Sequence, residues 1–151
     1  MGAIASGGVR FLNQDVLRHL GISPGIVEGV ARREAREIER RERQYRGDRP
    51  YPDLHGRTII LVDDGLATGS TMRAAVSALR ERGPQRIVVA VPVAAAVTCA
   101  EFRFLADDVI CARMPEEFHA VSAWYDDFSQ TDDEEVTGLL EDAERERVED
   151  R

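Results

Sequence analysis

Two adjacent carboxylates, Asp63 and Asp64, close the apolar run "TIILV", and the seven residues after them, "GLATGST", supply two glycines and three hydroxyls. Carboxylates, glycines and hydroxyls at this spacing can hold a metal, a sugar or a phosphate. Gly65 and Gly69 permit tight turns and close backbone approach. Thr68, Ser70 and Thr71 offer hydroxyls, and the amides from Gly69 to Met72 would open a helix. A helix start combines unpaired N–H groups with the positive end of the dipole, which suits an anion. Two acids beside such a cradle favour a ligand carrying vicinal hydroxyls and a phosphate, together with a divalent cation. A sugar phosphate meets that description better than a bare anion. A plain turn with Ser70 or Thr71 as helix caps would explain the hydroxyls but not the acidic pair.

The flanking pattern places this loop. "TIILV" reads as a strand, and "STMRAAVSALRERG" as a helix with Met72, Ala75, Val76 and Leu79 on one face. The strand "RIVVAVPV", the helix "TCAEFRFLAD" and the strand "DVICAR" follow. Continuous apolar strands alternating with amphipathic helices predict an α/β fold, a parallel sheet with helices over both faces. Ligands of such sheets bind beyond the carboxyl ends of the strands, where Asp63 and Asp64 lie.

Upstream, "GAIASGGVRFLN" suits a short strand or hairpin, and "QDVLRHLG" a brief helix closed by Gly21. A long helix then starts at Ser23 and Pro24 and ends at Gly47, laced by the pairs Glu28–Arg32, Glu37–Arg41, Glu39–Arg43 and Glu42–Arg46. Its interleaved glutamates nearly cancel its arginines, which argues against nucleic acid as a partner. "MPEEFHAVSAWYDDFSQ" is irregular and aromatic, and a capping box of Thr131 with Glu134 opens an acidic terminal helix.

Ile59 to Thr71 resembles the phosphoribosyl-diphosphate (PRPP) binding motif of the type I phosphoribosyltransferases: four apolar residues, two acids, a short linker and a Thr-Gly-x-Thr-like end. Gly65 stands where an aliphatic residue is usual. "RIVVAVPVA" and "AVSAWYDDFSQTDDEEV" are similar to segments of a bacterial branch of that family. The resemblance implies a single phosphoribosyltransferase-like domain over 1–151. Residues 1–56 would form a hood and helical region, 57–115 the core with the PRPP loop, and 116–151 the aromatic segment and acidic helix. It implies that Asp63 and Asp64 meet the ribose hydroxyls, directly or through magnesium-bound water, and so are the catalytic and Mg2+-associated residues. Gly65, Leu66, Ala67, Thr68, Gly69, Ser70 and Thr71 complete the PRPP site, the last four around the 5-phosphate. The implied activity is that of a pentosyltransferase of nucleotide metabolism, which moves the phosphoribosyl group from PRPP to a nitrogenous base and releases diphosphate. Trp124 and Tyr125, with Phe128 nearby, are candidates for stacking on that base, although aromatic clusters of this kind also serve packing.

The chain departs from the family at two places. Purine-salvage members carry an aspartate where this chain has Ala67, so a proton-handling acid is missing and 6-oxopurine salvage is disfavoured. Members also carry a diphosphate-gripping loop and further strands well ahead of the PRPP loop. No equivalent loop is apparent, since the glycine-rich "ASGGVR" matches the region after it. A short sheet would leave an unpaired strand edge, so self-association into a homo-oligomer is expected. The alternative function is a non-catalytic relative that binds PRPP or a nucleotide and regulates something.

Other classes fit less well. A signalling receiver domain also opens with an "ILVDD"-like strand, but it needs a lysine, and all 20 basic residues here are arginine. Asp107 and Asp108 also precede a strand rather than end one. A P-loop lacks its Gly-Lys-Ser/Thr. Cys99 and Cys111 have no metal-ligand spacing and read as two structural thiols. "PVAAAV" could border an acceptor pocket or simply pack, and His55 and His119 read as structural or exposed. The net charge of −8 resides in the tail: residues 126–151 carry −9 and the body about +1. No run is long enough for a membrane span and no signal peptide opens the chain, so a cytoplasmic location is expected.

Overall fold

The computed structural model describes residues 2–5 and 9–149. Two short strands, β1 (Gly2–Ile4) and β2 (Arg10–Leu12), pair antiparallel as the predicted hairpin. Gly7 and Gly8 of the glycine-rich stretch lie outside the described residues. Helix α1 (Gln14–His19) is capped by Asn13, whose side chain accepts the Val16 amide at 3.0 Å. Helix α2 (Pro24–Arg46) starts where Ser23 and Pro24 predicted, and the expected pairs Glu28–Arg32, Glu37–Arg41 and Glu39–Arg43 form, the second at 2.8 Å.

The sheet holds β3 (Thr58–Val62), β4 (Arg86–Val93) and β5 (Asp108–Arg113), all parallel, in the order β3-β4-β5. Their valines and isoleucines crowd a helix but fit a pleated surface, so these segments read correctly from sequence. Helices α3 (Ser70–Arg80) and α4 (Ala96–Phe102) make the two crossovers. Both cover the same face: Met72, Val76, Cys99 and Phe102 pack with Ile87, Val89 and Val91 in one core cluster.

The other face departs from the expected two-sided cover. The register sets Ile60 beside Val88, Val62 beside Ala90, and Ala90 beside Ile110 on that side. Ile60 is 63% exposed, Val62 74% and Ile110 55%. Because α3 and α4 both lie on one face and α2 packs instead against α5 (Asp133–Glu149), no described helix shields these side chains. The outer edge of β3 also has no described neighbour strand.

Three further expectations change. Helix α5 is capped by Asp132, which accepts the Glu134 and Glu135 amides at 3.0 and 2.9 Å, and not by a Thr131 box. Cys99 and Cys111 form a disulfide, because the crossover turns α4 back over the sheet and sets Cys99 above β5. The helix expected over "TCAEFRFLAD" begins at Ala96 and ends at Phe102. Asp107 and Asp108 sit at the amino end of the sheet, away from the acidic loop. Asp107 accepts the Ile87 amide at 2.7 Å and pairs with Arg80, while Asp108 pairs with Arg86. No helix among the described residues is long and apolar enough to cross a membrane.

Candidate functional site

The chain leaves β3 at Val62 and enters the loop with Asp63 half-buried and Asp64 exposed. The Asp64 amide donates to the Asp63 carboxylate at 3.0 Å. Burial pushes the Asp63 carboxyl above its ordinary value, and the adjacent Asp64 charge adds to the shift. Both carboxylates stand at the carboxyl end of a parallel strand, the end at which such sheets bind ligands.

Beyond the acids the loop dips into the core. Leu66 is buried and bridges Ala94: its amide donates to the Val93 carbonyl at 3.0 Å, and its carbonyl accepts the Ala95 amide at 2.9 Å. The "PVAAAV" turn therefore holds the loop from beneath. The next carbonyl, that of Ala67, accepts the buried Thr98 hydroxyl at 2.6 Å. Gly69 then takes a left-handed turn, φ 68°, directly before α3. A Cβ there would stand 2.5 Å from the Phe102 ring, so both conformation and space require glycine.

Helix α3 starts without a side-chain cap. Thr68 and Ser70 share a hydrogen bond at 3.2 Å, and neither Ser70 nor Thr71 closes the helix start as a capping turn would. The first amides of a helix have no intrahelical acceptor. They point out beside the hydroxyls of Thr68, Ser70 and Thr71, with the positive dipole end behind them. The loop thus presents carboxylates on one side and N–H and O–H donors on the other.

The irregular segment folds back over the acidic side as a short 3-10 helix, Val121–Trp124. A Cβ at Gly65 would lie 2.8 Å from both Val121 methyls and 2.9 Å from the Val93 carbonyl, which explains a glycine where an aliphatic residue was expected. The Tyr125 hydroxyl donates to the Asp64 carbonyl at 2.7 Å, and its ring lies 5.2 Å from that of Phe128. Trp124, next to Tyr125, is 42% exposed. The whole predicted run 63–71 and Tyr125 therefore meet, whereas His55 lies beside Gly83, at the turn before β4, and His119 is exposed. Thr98, Phe102 and Val121 were missed. An isolated hydroxyl inside the apolar "AVTCAEF" was the only signal for Thr98.

The two carboxylates supply hard oxygen donors, and among the described residues no group of three or more His, Cys, Asp or Glu gathers as a metal site. A pair of this kind suits magnesium, which keeps several waters and shares its remaining positions with phosphate oxygens.

Residues 3–127 match the family model of the phosphoribosyl transferase domain. The provisionally named phosphoribosyl transferase Rv0571c of Mycobacterium tuberculosis H37Rv is 39% identical over 148 residues, which is 98% of this chain and 33% of that protein. The bifunctional protein PyrR of Roseiflexus is 56% identical over 45 residues, 29% of this chain and 24% of its own. The crystal structure of TT1426 from Thermus thermophilus superposes with a TM-score of 0.71 at 38% identity, covering 92% of this chain and 65% of that one. The chain thus spans about a third of the mycobacterial relative. With this loop at the carboxyl end of a parallel strand and a domain match over most of its length, the chain belongs to the type I phosphoribosyltransferase family.

Proposed function

We propose that residues 63–71 hold the ribose 5-phosphate half of PRPP, and that the protein transfers the phosphoribosyl group to a nitrogenous base with release of diphosphate. The observation that carries this reading is the division of the loop. The acids lie at the Asp63–Asp64 end, and an uncapped helix start with three hydroxyls lies at the Thr68–Thr71 end. The amides and hydroxyls would take the 5-phosphate, and the carboxylates would accept the 2′- and 3′-hydroxyls. Asp63 and Asp64 would also hold magnesium through water, and the ion when bound offsets charge on the departing diphosphate.

In this reaction the bond from the anomeric carbon to diphosphate breaks and a bond to the base nitrogen forms, and the base gives up a proton. Positioning and fixed charge supply most of the acceleration, because the loop is held before any ligand arrives. Ala67 offers no group to take the base proton, so acceptors that need an acid at that position are disfavoured. Trp124 and Tyr125 border the acidic side, where stacking on a flat acceptor is part of this reading. A homo-oligomer formed at the open β3 edge also belongs to it, and light scattering at high concentration tests that point.

Incubation with PRPP, magnesium and a panel of bases, followed by diphosphate release, tests the transfer. Release with at least one base, abolished by Asp64→Asn, is the expected result. Calorimetric binding of PRPP with no release from any base would assign the chain to binding and regulation instead.

A further inference from the structure

We propose that Tyr125 is a positioning residue that couples the acidic half of the loop to the 3-10 segment carrying Trp124. A ribose phosphate held on the loop is then sensed at the surface beside it. The proposal rests on the ribose-phosphate reading of the loop.

Two contacts pin the segment, one before and one after the tryptophan. Val121 lies so close to the Gly65 backbone that a single added carbon would meet both its methyls at 2.8 Å. Tyr125 donates its hydroxyl proton to the Asp64 carbonyl at 2.7 Å. The anchored loop residues are adjacent, and the anchoring residues are four apart across a turn whose Tyr125 amide reaches the Ser122 carbonyl at 3.4 Å. Trp124 rides on that turn. Phe128 packs against the Tyr125 ring, with centroids 5.2 Å apart. The Tyr125 hydroxyl is committed to backbone, so its part is to hold the Asp64 peptide and not to touch the sugar phosphate, whatever its ring borders.

A ligand that draws the Asp64 backbone toward it must therefore stretch this bond or carry Trp124 with it. Coupling of this kind is reciprocal: whatever settles on the aromatic segment biases the acids by the same factor.

Trp124 is the only tryptophan and provides the readout. Wild type is titrated with ribose 5-phosphate and magnesium while emission and calorimetric heat are followed. The expected result is a Trp124 emission change that saturates with the calorimetric midpoint. Tyr125→Phe, checked for a cooperative melt, should bind about two- to tenfold more weakly, the range for one lost hydrogen bond, and lose most of the emission change. A Tyr125→Phe protein that binds and keeps the full emission response overturns the proposal, as does a wild type that binds with no response. A second measurement needs no ligand. Acrylamide quenching of Trp124 should rise in Tyr125→Phe and in Val121→Ala, and quenching unchanged in both also overturns the coupling. Absence of calorimetric heat in wild type would sink the ribose-phosphate reading alone, leaving quenching to decide whether the loop and Trp124 are linked.

Discussion

Thr98 donates its hydroxyl proton to the Ala67 carbonyl at 2.6 Å across 31 residues of sequence, and it does so from a buried position on α4. The bond fixes the peptide directly before Thr68. It ties the hydroxyl-bearing end of the loop to the helix that packs beneath it.

Thr98→Val keeps the shape and removes the donor. It should cost about 1 kcal/mol in urea unfolding, because the Ala67 carbonyl loses a part-buried hydrogen bond. Affinity for ribose 5-phosphate should fall with it, and Thr98→Ser should recover most of both. A Thr98→Val protein as stable as wild type would show that water satisfies the carbonyl instead.

Gly69→Ala meets two obstacles, the left-handed φ of 68° and the Phe102 ring 2.5 Å from the new carbon. Together these should cost about 2 kcal/mol or more. Adding Phe102→Leu should return part of the loss by relieving the contact, leaving the backbone strain in place. If the double variant is no more stable than Gly69→Ala alone, the ring is not the obstacle.

Asp63 gives opposite signs for folding and for binding. Its carboxyl is raised above the ordinary 3.8 by burial. Its contribution to folding is therefore fully present below pH 3.8 and is lost as pH rises through the raised value. At neutral pH the charged form opposes folding, so Asp63→Asn should melt at the same temperature as wild type or higher. The same substitution should abolish magnesium-dependent binding of ribose 5-phosphate. In wild type that binding should weaken as pH falls through the raised value. A lower melting point for Asp63→Asn at neutral pH would contradict the buried-charge account.

Asp133 joins α5 to α2. It accepts the Tyr45 hydroxyl and pairs with Arg40 at 2.7 Å, and both hold its carboxyl below the ordinary 3.8. Glu37, hydrogen-bonded to Arg40 and Arg41, is held down to about 2. Their contributions are present above the ordinary values and are lost as pH falls through the depressed ones. Thermal stability should therefore decline between pH 4.5 and about 2 as Glu37 and Asp133 take up protons. Asp133→Asn should melt below wild type at neutral pH and decline less on acidification. Equal melting temperatures at neutral pH would mean that solvent screens the contact completely.

Much of this was legible in the residues. The strands 58–62, 86–93 and 108–113 were, because β-branched runs between amphipathic helices allow few alternatives. The placement of the run 63–71 was legible because it is local, one loop at one strand end. What holds that loop was not. Thr98, Phe102 and Val121 arrive from other parts of the chain, and a contact across the fold leaves no periodicity to read. The shift of the α5 cap from Thr131 to Asp132 is smaller in kind: the helix starts one residue later, and a charged carboxylate is a stronger acceptor at a helix start than a hydroxyl. The open sheet face was hidden because Ile60, Val62 and Ile110 have the composition of buried strand residues.

That open face has a thermodynamic consequence. β3, like β5, is hydrogen-bonded on one side only and is apolar on a side that nothing described shields, but it lacks the disulfide that ties β5 to α4. It is also the strand that ends in Asp63 and Asp64. A ligand that joins the acids to the start of α3 staples the end of that strand to the best-packed part of the molecule. Occupancy of the loop should therefore appear first as slower amide exchange along Thr58–Val62, before any change at β4. The acidic loop and this open edge strand are one continuous piece of chain.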